Sequence, residues 1–481
     1  MAPGPNDIRY VCLSDMHLGA EGSLLTNLTN NPNGGAKADP LNASPLLQIL
    51  LACLGYLIRL NEDKTSKPTL ILMGDILELA LADDNVATMV FERFVEKAME
   101  PGSELFGNIL YIPGNHDHHL WDSARETQYV LNYLVKTKTQ DLLEIPWHTT
   151  NIFILEDPNP VRSFLLTALI NRYTNLEKMI INTAYPNFGL MKDNRCVIFH
   201  HGHFIESIYL LITTLKNLIF PAQKALTRTV DDLEAENFAW IDFFWSTLGR
   251  SGDFGKDVEI IYDKMQEEAQ FQKLAENLAI GLAAQYGKSG WLDSEIIKVT
   301  VDGLVKKLVS PERSQIEQYL SPDAEHGLHD YVNGPLQIQI VHECTERQLY
   351  FPREVIFVFG HTHKPFEKVY DFGAYLGDGV PVYNTGGWVV ETLEPAAKHG
   401  GAVVLLNENL DVVSLRIYNE NNGPVKVEVH EQPPPGRDHS DFFNHLNSMV
   451  QPDQPPWDDF SKMVAKEISI REQNLRAKVA S

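Results

Sequence analysis

Residues 8–17 read Ile-Arg-Tyr-Val-Cys-Leu-Ser-Asp-Met-His, an apolar, strand-like run that breaks into a turn carrying Asp15 and His17. The same pattern recurs along the chain, where strand-like runs are predicted over residues 69–73, 108–112, 195–199 and 354–359. These runs lead into the turns Gly74-Asp75, Pro113-Gly114-Asn115-His116-Asp117, His200-His201-Gly202-His203 and Gly360-His361-Thr362-His363. Open α/β sheets keep their sites at the carboxyl ends of strands, where such turns lie. Together these turns predict a metal site.

Composition limits the classes of protein without choosing among them. At 481 residues, of which 44% are hydrophobic, the chain can form two or three domains or one large domain with an insertion. The formal net charge of -24 argues against general nucleic-acid binding, because that binding depends on Lys and Arg that neutralise phosphates. An anionic substrate therefore requires local positive charge.

Cysteine usage and hydropathy indicate the compartment. The cysteines, Cys12, Cys53, Cys196 and Cys344, are far apart and include no Cys-x-x-Cys pair, which is typical of a protein from a reducing compartment. The start of the chain lacks a signal-peptide pattern, and no stretch approaches the ~20 apolar residues of a transmembrane helix. We therefore expect a soluble, cytoplasmic protein.

Helical and strand-like patterns alternate between the turns, which indicates an α/β sandwich. One helix is predicted to follow Ser44 as its N-cap, with Pro45 at the first helical position. Residues 205–350 interrupt the alternation with mostly helical spacing, which includes helices over 264–285 and 296–309.

Strands return after the last turn. Residues 401–407 and 411–418 resemble a hairpin. Residues 426–481 form a Pro-rich tail that ends in a charged helix over about 458–478. We expect this tail to wrap the surface or contact a partner.

The types of side chain in the turns indicate which ions they suit. Asp15 and His17 are two residues apart, so both can point into one site where the turn breaks the pleat, and His361 and His363 repeat this spacing. Such oxygen and nitrogen ligands suit Mn, Fe, Zn or a similar divalent ion, whereas the absence of cysteine argues against a thiolate site. Asp75 offers a carboxylate that can bridge two cations.

Asn115 and His201 bring the ligand count to that of a two-metal centre. Two ions roughly 3.5–4 Å apart can clamp a phosphoryl group and lower the pKa of a bound water towards about 7. Taken singly, each motif has an ordinary explanation, since Asp-x-His pairs occur in loops and Asn-His-Asp can cap a helix. Their joint occurrence, each after a strand, favours the metal centre.

In this order the motifs resemble the full motif set of the calcineurin-like metallophosphoesterases. The resemblance implies an α/β fold, the four-layer α/β/β/α metallophosphoesterase sandwich, here with a large mostly helical insertion. The core is expected to comprise residues 1–204 and 351–425, with residues 205–350 as a helical insertion and candidate cap, and residues 426–481 as the tail.

The resemblance also implies the roles of the site residues. The first ion is expected to be held by Asp15, His17, Asp75 and His363. The second is expected to be held by Asp75, Asn115, His201 and His361. His116 matches the family's catalytic histidine beside the leaving-group oxygen, and Asp117 is expected to orient it through a hydrogen bond. The implied activity is hydrolysis of a phosphodiester or phosphomonoester by a metal-bridging hydroxide.

Some neighbouring residues have two interpretations. His201 is taken as the ligand in its turn because the family pattern places the ligand directly before Gly, and His203 is a candidate substrate contact. The segment Asn384-Thr385-Gly386-Gly387-Trp388 resembles a glycine-bearing turn of the family, in which a backbone amide of Gly386 or Gly387 faces the phosphate; a plain tight turn explains the glycines as well. His118 and His119 are expected to be rim or structural residues.

The substrate depends on the insertion, whose aromatic side chains form either a cap over the site or the insertion's own core. These are Phe238, Trp240, Phe243, Phe244 and Trp245. A cap in this place is similar to that of the lipid A precursor pyrophosphohydrolases, but that branch has Arg where this chain has His116. This difference favours a diester or monoester hydrolase acting on a small or amphiphilic phosphate ester.

The alternatives are a nuclease or a lipid-pyrophosphate hydrolase of the same superfamily, and a non-catalytic scaffold that retains the fold. The acidic balance disfavours the nuclease. The complete ligand set disfavours the scaffold.

Overall fold

The structure is a computed structural model that describes residues 4–30, 35–219, 229–247, 318–373, 376, 378–392, 396–421 and 425–480. The helices predicted over 264–285 and 296–309 lie outside the described residues.

The strands, numbered along the chain, are β1 (Tyr10–Leu13), β2 (Leu28–Asn30), β3 (Ala36–Ala38), β4 (Thr69–Met73), β5 (Asn108–Ile112), β6 (Val161–Arg162), β7 (Asn182–Thr183), β8 (Asn187–Lys192), β9 (Arg195–His200), β10 (Glu354–Phe359), β11 (Phe366–Asp371), β12 (Asp378–Asn384), β13 (Gly400–Leu406), β14 (Val412–Asn419) and β15 (Glu428–His430).

The α-helices are α1 (Pro45–Ile58), α2 (Asp84–Ala98), α3 (His119–Asn132), α4 (Phe164–Ile170), α5 (Leu211–Ile219), α6 (Val230–Trp240), α7 (Pro322–Tyr331), α8 (Gln337–Glu346), α9 (Asp441–Met449) and α10 (Trp457–Ala480). Single 3-10 turns cover Leu134–Lys136, Ile154–Glu156, Thr174–Leu176, His203–Ile205 and Ser207–Leu210. Two π-helical segments cover Ile241–Thr247 and Val332–Leu336.

Most described strands belong to two sheets. The larger sheet has the order β15-β14-β13-β1-β4-β5-β7-β6, and the smaller sheet has the order β11-β12-β10-β9-β8. Neighbours β1, β4 and β5 run parallel in the larger sheet, as do β9, β10 and β12 in the smaller one. The carboxyl ends of β1, β4 and β5 therefore lie at one edge of the larger sheet, and those of β9 and β10 at one edge of the smaller sheet.

Each sheet is buried on both faces. A core between the sheets includes Ile71 from the larger sheet and Phe199 from the smaller one. The outer face of the larger sheet packs with α1, α2 and α10, and the outer face of the smaller sheet packs with α7 and α8. The chain is thus a mixed α/β protein in which helices cover the face of each sheet that points away from the other.

Burial on both faces explains why the strands read as continuous apolar runs. In β4, Leu70 and Leu72 enter the outer core while Ile71 and Met73 enter the core between the sheets. Because successive side chains of a strand point to opposite faces, an alternating pattern would leave one of these cores polar. The predicted strands over residues 69–73, 108–112 and 354–359 are confirmed with the same bounds.

The predicted helix start at Ser44 and Pro45 is also confirmed, and the hairpin over residues 401–418 is formed by the antiparallel pair β13 and β14. The hydroxyl of Ser44 donates to the carbonyl of Leu24 at 3.0 Å instead of capping the helix through its side chain. Of the helices that the structure describes, none combines the length and the apolar character needed to cross a membrane.

The tail is built into the core instead of only wrapping the surface. Trp457 and Phe460 of α10 are buried in the outer core of the larger sheet. Arg471 of the same helix is 2% exposed and donates to the backbone carbonyl of Ser23 at 2.9 Å. The tail therefore holds the loop that follows Asp15 and His17.

Candidate metal centre

The predicted ligands meet where the parallel strands end. Strands β1, β4 and β5 deliver residues from the larger sheet, and β9 and β10 deliver residues from the smaller sheet. None of the predicted ligand residues is more than 2% exposed: Asp15, His17, Asp75, Asn115, His201, His361 and His363. Buried polar side chains at this density require partners, because unpaired buried charges are costly.

These side chains form two groups, and Asp75 lies close to residues of both. Asp15, His17 and His363 form the first group, and Asp75, His201 and His361 form the second; within each group the candidate ligand atoms lie within 4.8 Å of one another. Asp75 Oδ2 lies 3.6 Å from His17 Nε2 and 3.3 Å from His201 Nε2. One carboxylate oxygen therefore lies between a histidine of each group.

The backbone is strained at five of the seven predicted ligand positions. The φ angles are 49° at Asp15, 43° at His17, 50° at Asp75, 71° at His361 and 57° at His363. A residue with a Cβ in this left-handed region costs on the order of 1–3 kcal/mol and persists only where the surrounding structure requires it. The turns therefore aim these side chains into the cluster at the expense of local conformational preference.

Two glycines allow the ligands to approach the backbone. A Cβ added at Gly74 would lie 2.3 Å from Nδ1 of His201, and one added at Gly360 would lie 2.2 Å from Oδ2 of Asp15. Any larger residue at either position would displace a predicted ligand. The Gly of each motif is thus required by packing against the site.

Glu78 connects two histidines of the cluster, and it stands outside every motif read from the sequence. Its Oε2 lies 2.7 Å from Nδ1 of His17, and its Oε1 lies 2.9 Å from Nδ1 of His116. Burial by itself raises the pKa of Glu78, but the charge and hydrogen bond of His116 and the hydrogen bond of His17 outweigh it and hold this pKa well below its usual range. The available signal was its position three residues after Asp75.

The positions of the ring nitrogens in the second group test whether its residues could hold a cation. Nδ1 of His201 lies 3.2 Å from the carbonyl oxygen of Met73, which can only accept, so the proton of the neutral ring belongs on Nδ1. Nε2 of His201 then presents its lone pair towards Asn115 Oδ1 at 3.0 Å. Lone pairs that face each other at hydrogen-bond distance need a proton or a cation between them.

His361 also has one ring nitrogen beside an acceptor and the other facing the cluster, but Nδ1 and Nε2 have the opposite roles from those in His201. Its Nε2 lies 2.7 Å from Oε1 of Glu206, so Nδ1 is the nitrogen left to face Nε2 of His201, at 3.2 Å. Burial lowers the pKa of His201, but Asp75 and Asp15 outweigh it and raise this pKa to about 9. Without a metal the cluster attracts a proton, and a divalent ion would satisfy the same lone pairs. The buried His and Asp groups thus fit metal ions.

Asp117 has a different set of partners from the one we expected. Its carboxylate accepts the backbone N–H of Gly114 at 2.7 Å and that of Ile76 at 2.8 Å. Burial and the charge of Asp75 raise the pKa of Asp117 to about 6. Asp117 therefore ties the turn of Asp75 to the turn of Asn115, and the carboxylate at Nδ1 of His116 belongs to Glu78.

The candidate substrate contacts already have partners in the protein. His203 is fully buried, and its Nε2 lies 3.2 Å from the hydroxyl of Tyr185. The amide of Gly386 donates to Asn384 Oδ1 and that of Gly387 donates to the carbonyl of Gly400, both at 2.8 Å. These bonds favour the tight turn, and a contact of either amide with a phosphate stays a prediction.

Aromatic side chains of the inserted segment, residues 205–350, pack beside the second group. The ring centroid of Tyr209 lies 5.1 Å from that of His361 and 4.9 Å from that of Trp245. Trp240 Nε1 donates to the carbonyl of Ile208, whereas Phe243 is 57% exposed. The side chain of Phe244 lies outside the described residues.

A polar network joins the inserted segment to the residues that follow His116. Nε2 of His118 lies 2.8 Å from Oε1 of Glu234, whose other oxygen accepts the hydroxyl of Tyr185 at 2.9 Å. Burial lowers the pKa of His118, but Glu234 and Asp242 outweigh it and raise this pKa to about 9. His118 and Glu234 therefore form a buried ion pair at neutral pH.

Comparisons with known proteins are sparse. No model of a protein family matches the chain, and no curated protein matches it either. Among solved structures, the chain is similar to the phosphopantetheinyl hydrolase from Mycobacterium tuberculosis, with 12% sequence identity and a TM-score of 0.25 over 80% of this chain and 91% of that chain. A likeness at this level carries no argument about function.

Proposed function

We propose that this protein is a metal-dependent hydrolase of phosphate esters that uses two divalent ions, of the calcineurin-like metallophosphoesterase type. The observation that carries the proposal is the position of Asp75 Oδ2, 3.6 Å from His17 Nε2 and 3.3 Å from His201 Nε2. The helices that cover the outer faces of both sheets agree with the four-layer sandwich of that superfamily.

The seven buried ligands divide naturally between the ions. The first ion would be held by Asp15, His17, Asp75 and His363. The second ion would be held by Asp75, Asn115, His201 and His361. Two such ions, Mn, Fe, Zn or similar, supply a clamp for the phosphoryl group and a water whose pKa falls towards about 7.

His116 is the residue that we assign to proton transfer. Glu78 accepts from Nδ1 of His116, so Nε2 is the nitrogen that can give a proton to the leaving-group oxygen. Its backbone N–H donates to Asp75 Oδ1 at 2.8 Å, which ties the proton donor to the shared carboxylate. His116 is 4% exposed, so bulk water has little access to it.

The substrate that we propose is a small or amphiphilic phosphate ester, either a diester or a monoester. Tyr209 and Trp245 support an apolar component, because they form an aromatic wall next to His361. The formal net charge of -24 supports a small substrate over a nucleic acid.

The test is hydrolysis of aryl phosphate monoesters and diesters by the protein loaded with Mn, together with the metal content of Asp75→Asn. Removing the shared carboxylate should lose both ions and the activity. Asp193→Asn is a matched control, because Asp193 is exposed in the turn between β8 and β9 and has a φ of 52°, close to the 50° of Asp75. The proposal fails if no ester is hydrolysed or if Asp75→Asn keeps both ions.

A further inference from the structure

The first turn of α3 depends on residues outside the helix. Its N-cap residue, His118, makes no side-chain cap hydrogen bond. The first amides of a helix have no partner within the helix and need other acceptors. The amide of His119 donates to Oγ of Ser246 at 3.0 Å, and Ser246 belongs to the inserted segment. The inserted segment therefore caps α3 from outside.

A buried acid of the same segment holds the residue before the helix. Glu234 is 0% exposed and lies 2.8 Å from Nε2 of His118. On the other side of the ring, Asp242 Oδ1 lies 3.4 Å from Nδ1 of His118. Both acids stand at the N-terminal end of α3, where negative charge is favourable. Without Glu234, only the longer contact with Asp242 would compensate the buried charge of His118, so His118 depends strongly on Glu234.

This contact bears on the proposed proton donor, because His116 is two residues before His118. Between them, Asp117 anchors its own turn through the amides of Gly114 and Ile76. The segment 114–119 is thus held by Asp117 within the turn and by the inserted segment at its end. A displacement of a reacting group by about 1 Å can lower the reaction rate about a hundredfold. The contacts that hold the segment 114–119 therefore affect catalysis by His116.

We propose that Glu234 is a positioning residue that fixes the His116 turn through His118, which makes the inserted segment part of the active-site scaffold. The effect on turnover rests on the proposed function. The effect on the turn itself does not, since it can be measured in protein without any substrate.

The experiment compares Glu234→Gln with Glu236→Gln in the full chain loaded with Mn. Glu236 lies on the same helix, but it pairs with Thr213 and Lys216, which both belong to the inserted segment. One readout is amide hydrogen exchange of residues 113–121 by mass spectrometry. The other is the separate change of kcat and KM for bis(4-nitrophenyl) phosphate.

For Glu234→Gln we expect exchange over 113–121 to accelerate at least about tenfold. We expect kcat to fall about tenfold or more with KM within about twofold, because the role proposed for His116, proton donation to the leaving group, stabilises the transition state and not the bound substrate. Glu236→Gln should change neither. If Glu234→Gln does not fold, His118→Gln, which removes the imidazole that pairs with Glu234, should show the same pattern.

The inference is overturned if the amides of residues 113–121 exchange at the wild-type rate in the variant that folds. It is also overturned if kcat falls as far in Glu236→Gln as in that variant. If the wild-type protein hydrolyses no phosphate ester, the proposed function fails, and the exchange rates alone still decide the role of Glu234.

Discussion

Replacing Glu78 with Gln should weaken one of the two proposed ions and spare the other. Oε1 of Glu78 faces three donors: Nδ1 of His116 at 2.9 Å, the amide of Ala80 at 3.0 Å and the amide of Leu81 at 2.9 Å. Oε2 faces Nδ1 of His17 at 2.7 Å. In Gln the single carbonyl oxygen should remain with the three donors, which turns the amide NH₂ towards His17.

That NH₂ would face the Nδ1–H of His17, so two donors would oppose each other. The ring must then move its proton to Nε2, the atom that lies 3.6 Å from Asp75 Oδ2, and it loses its lone pair for the first ion. Loss of such an outer partner typically lowers metal affinity about 10–100-fold, or about 1.4–2.7 kcal/mol. The second ion should bind as in the wild type, because the hydrogen bonds of Glu78 hold His17 and His116, neither of which is a proposed ligand of that ion.

The assay is titration of the metal-free protein with Mn in competition with a fluorescent chelator, which resolves the two affinities. Glu391→Gln is a graded control, because Oε2 of Glu391 lies 3.5 Å from Nδ1 of His363, beyond hydrogen-bond length for a charged pair. We expect a smaller loss there. Wild-type affinity for both ions in Glu78→Gln, or selective loss of the second ion, would refute this account of Glu78.

Two further predictions concern stability. A Cβ at Gly327 in α7 would lie 1.9 Å from the carbonyl oxygen of Ile205, so Gly327→Ala should lower the thermal midpoint, although Ala is favoured over Gly within helices by about 1 kcal/mol. Gly334→Ala is the control and should not lower the thermal midpoint, because a Cβ added there would meet no described atom within 4 Å other than those of its chain neighbours and its own helix. The pKa of His118, raised to about 9 by Glu234 and Asp242 against the effect of burial, lies above its ordinary value of about 6.5. The stabilisation that protonated His118 provides is therefore complete below about pH 6.5 and disappears as pH rises through about 9. The difference in thermal midpoint between wild type and His118→Gln should shrink over that range. A constant difference would contradict the ion pair.

Local pattern was enough to predict the strands that lead into the five site turns, and the turns themselves. Both faces of β4 and β5 are buried, so every residue after the first of each strand is apolar, and polar side chains begin where each strand ends. The ligand types could be read in the same way, because Asp and His after a strand need no knowledge of distant residues. Period-two packing and turn preference act over a few residues, which makes them visible in the sequence.

The acids that orient the histidines were not predictable in this way. The chain contains 64 Asp and Glu residues, and Glu78, Glu206 and Glu234 stand in no motif that separates them from the rest. Asp117 was expected to orient His116 because the two are adjacent, yet the carboxylate at Nδ1 of His116 comes from Glu78, 38 positions earlier. Neighbours in sequence need not face each other at the end of a strand.

The sequence by itself determined the strand and turn units and the ligand types that they carry, because these follow from burial and backbone preference over short stretches. Only the tertiary structure decided which carboxylates meet which histidines and how the inserted segment bears on the His116 turn. The physical reason is distance along the chain: His118 and Glu234 are 116 positions apart, and only the packing of the inserted segment against α3 brings them to 2.8 Å.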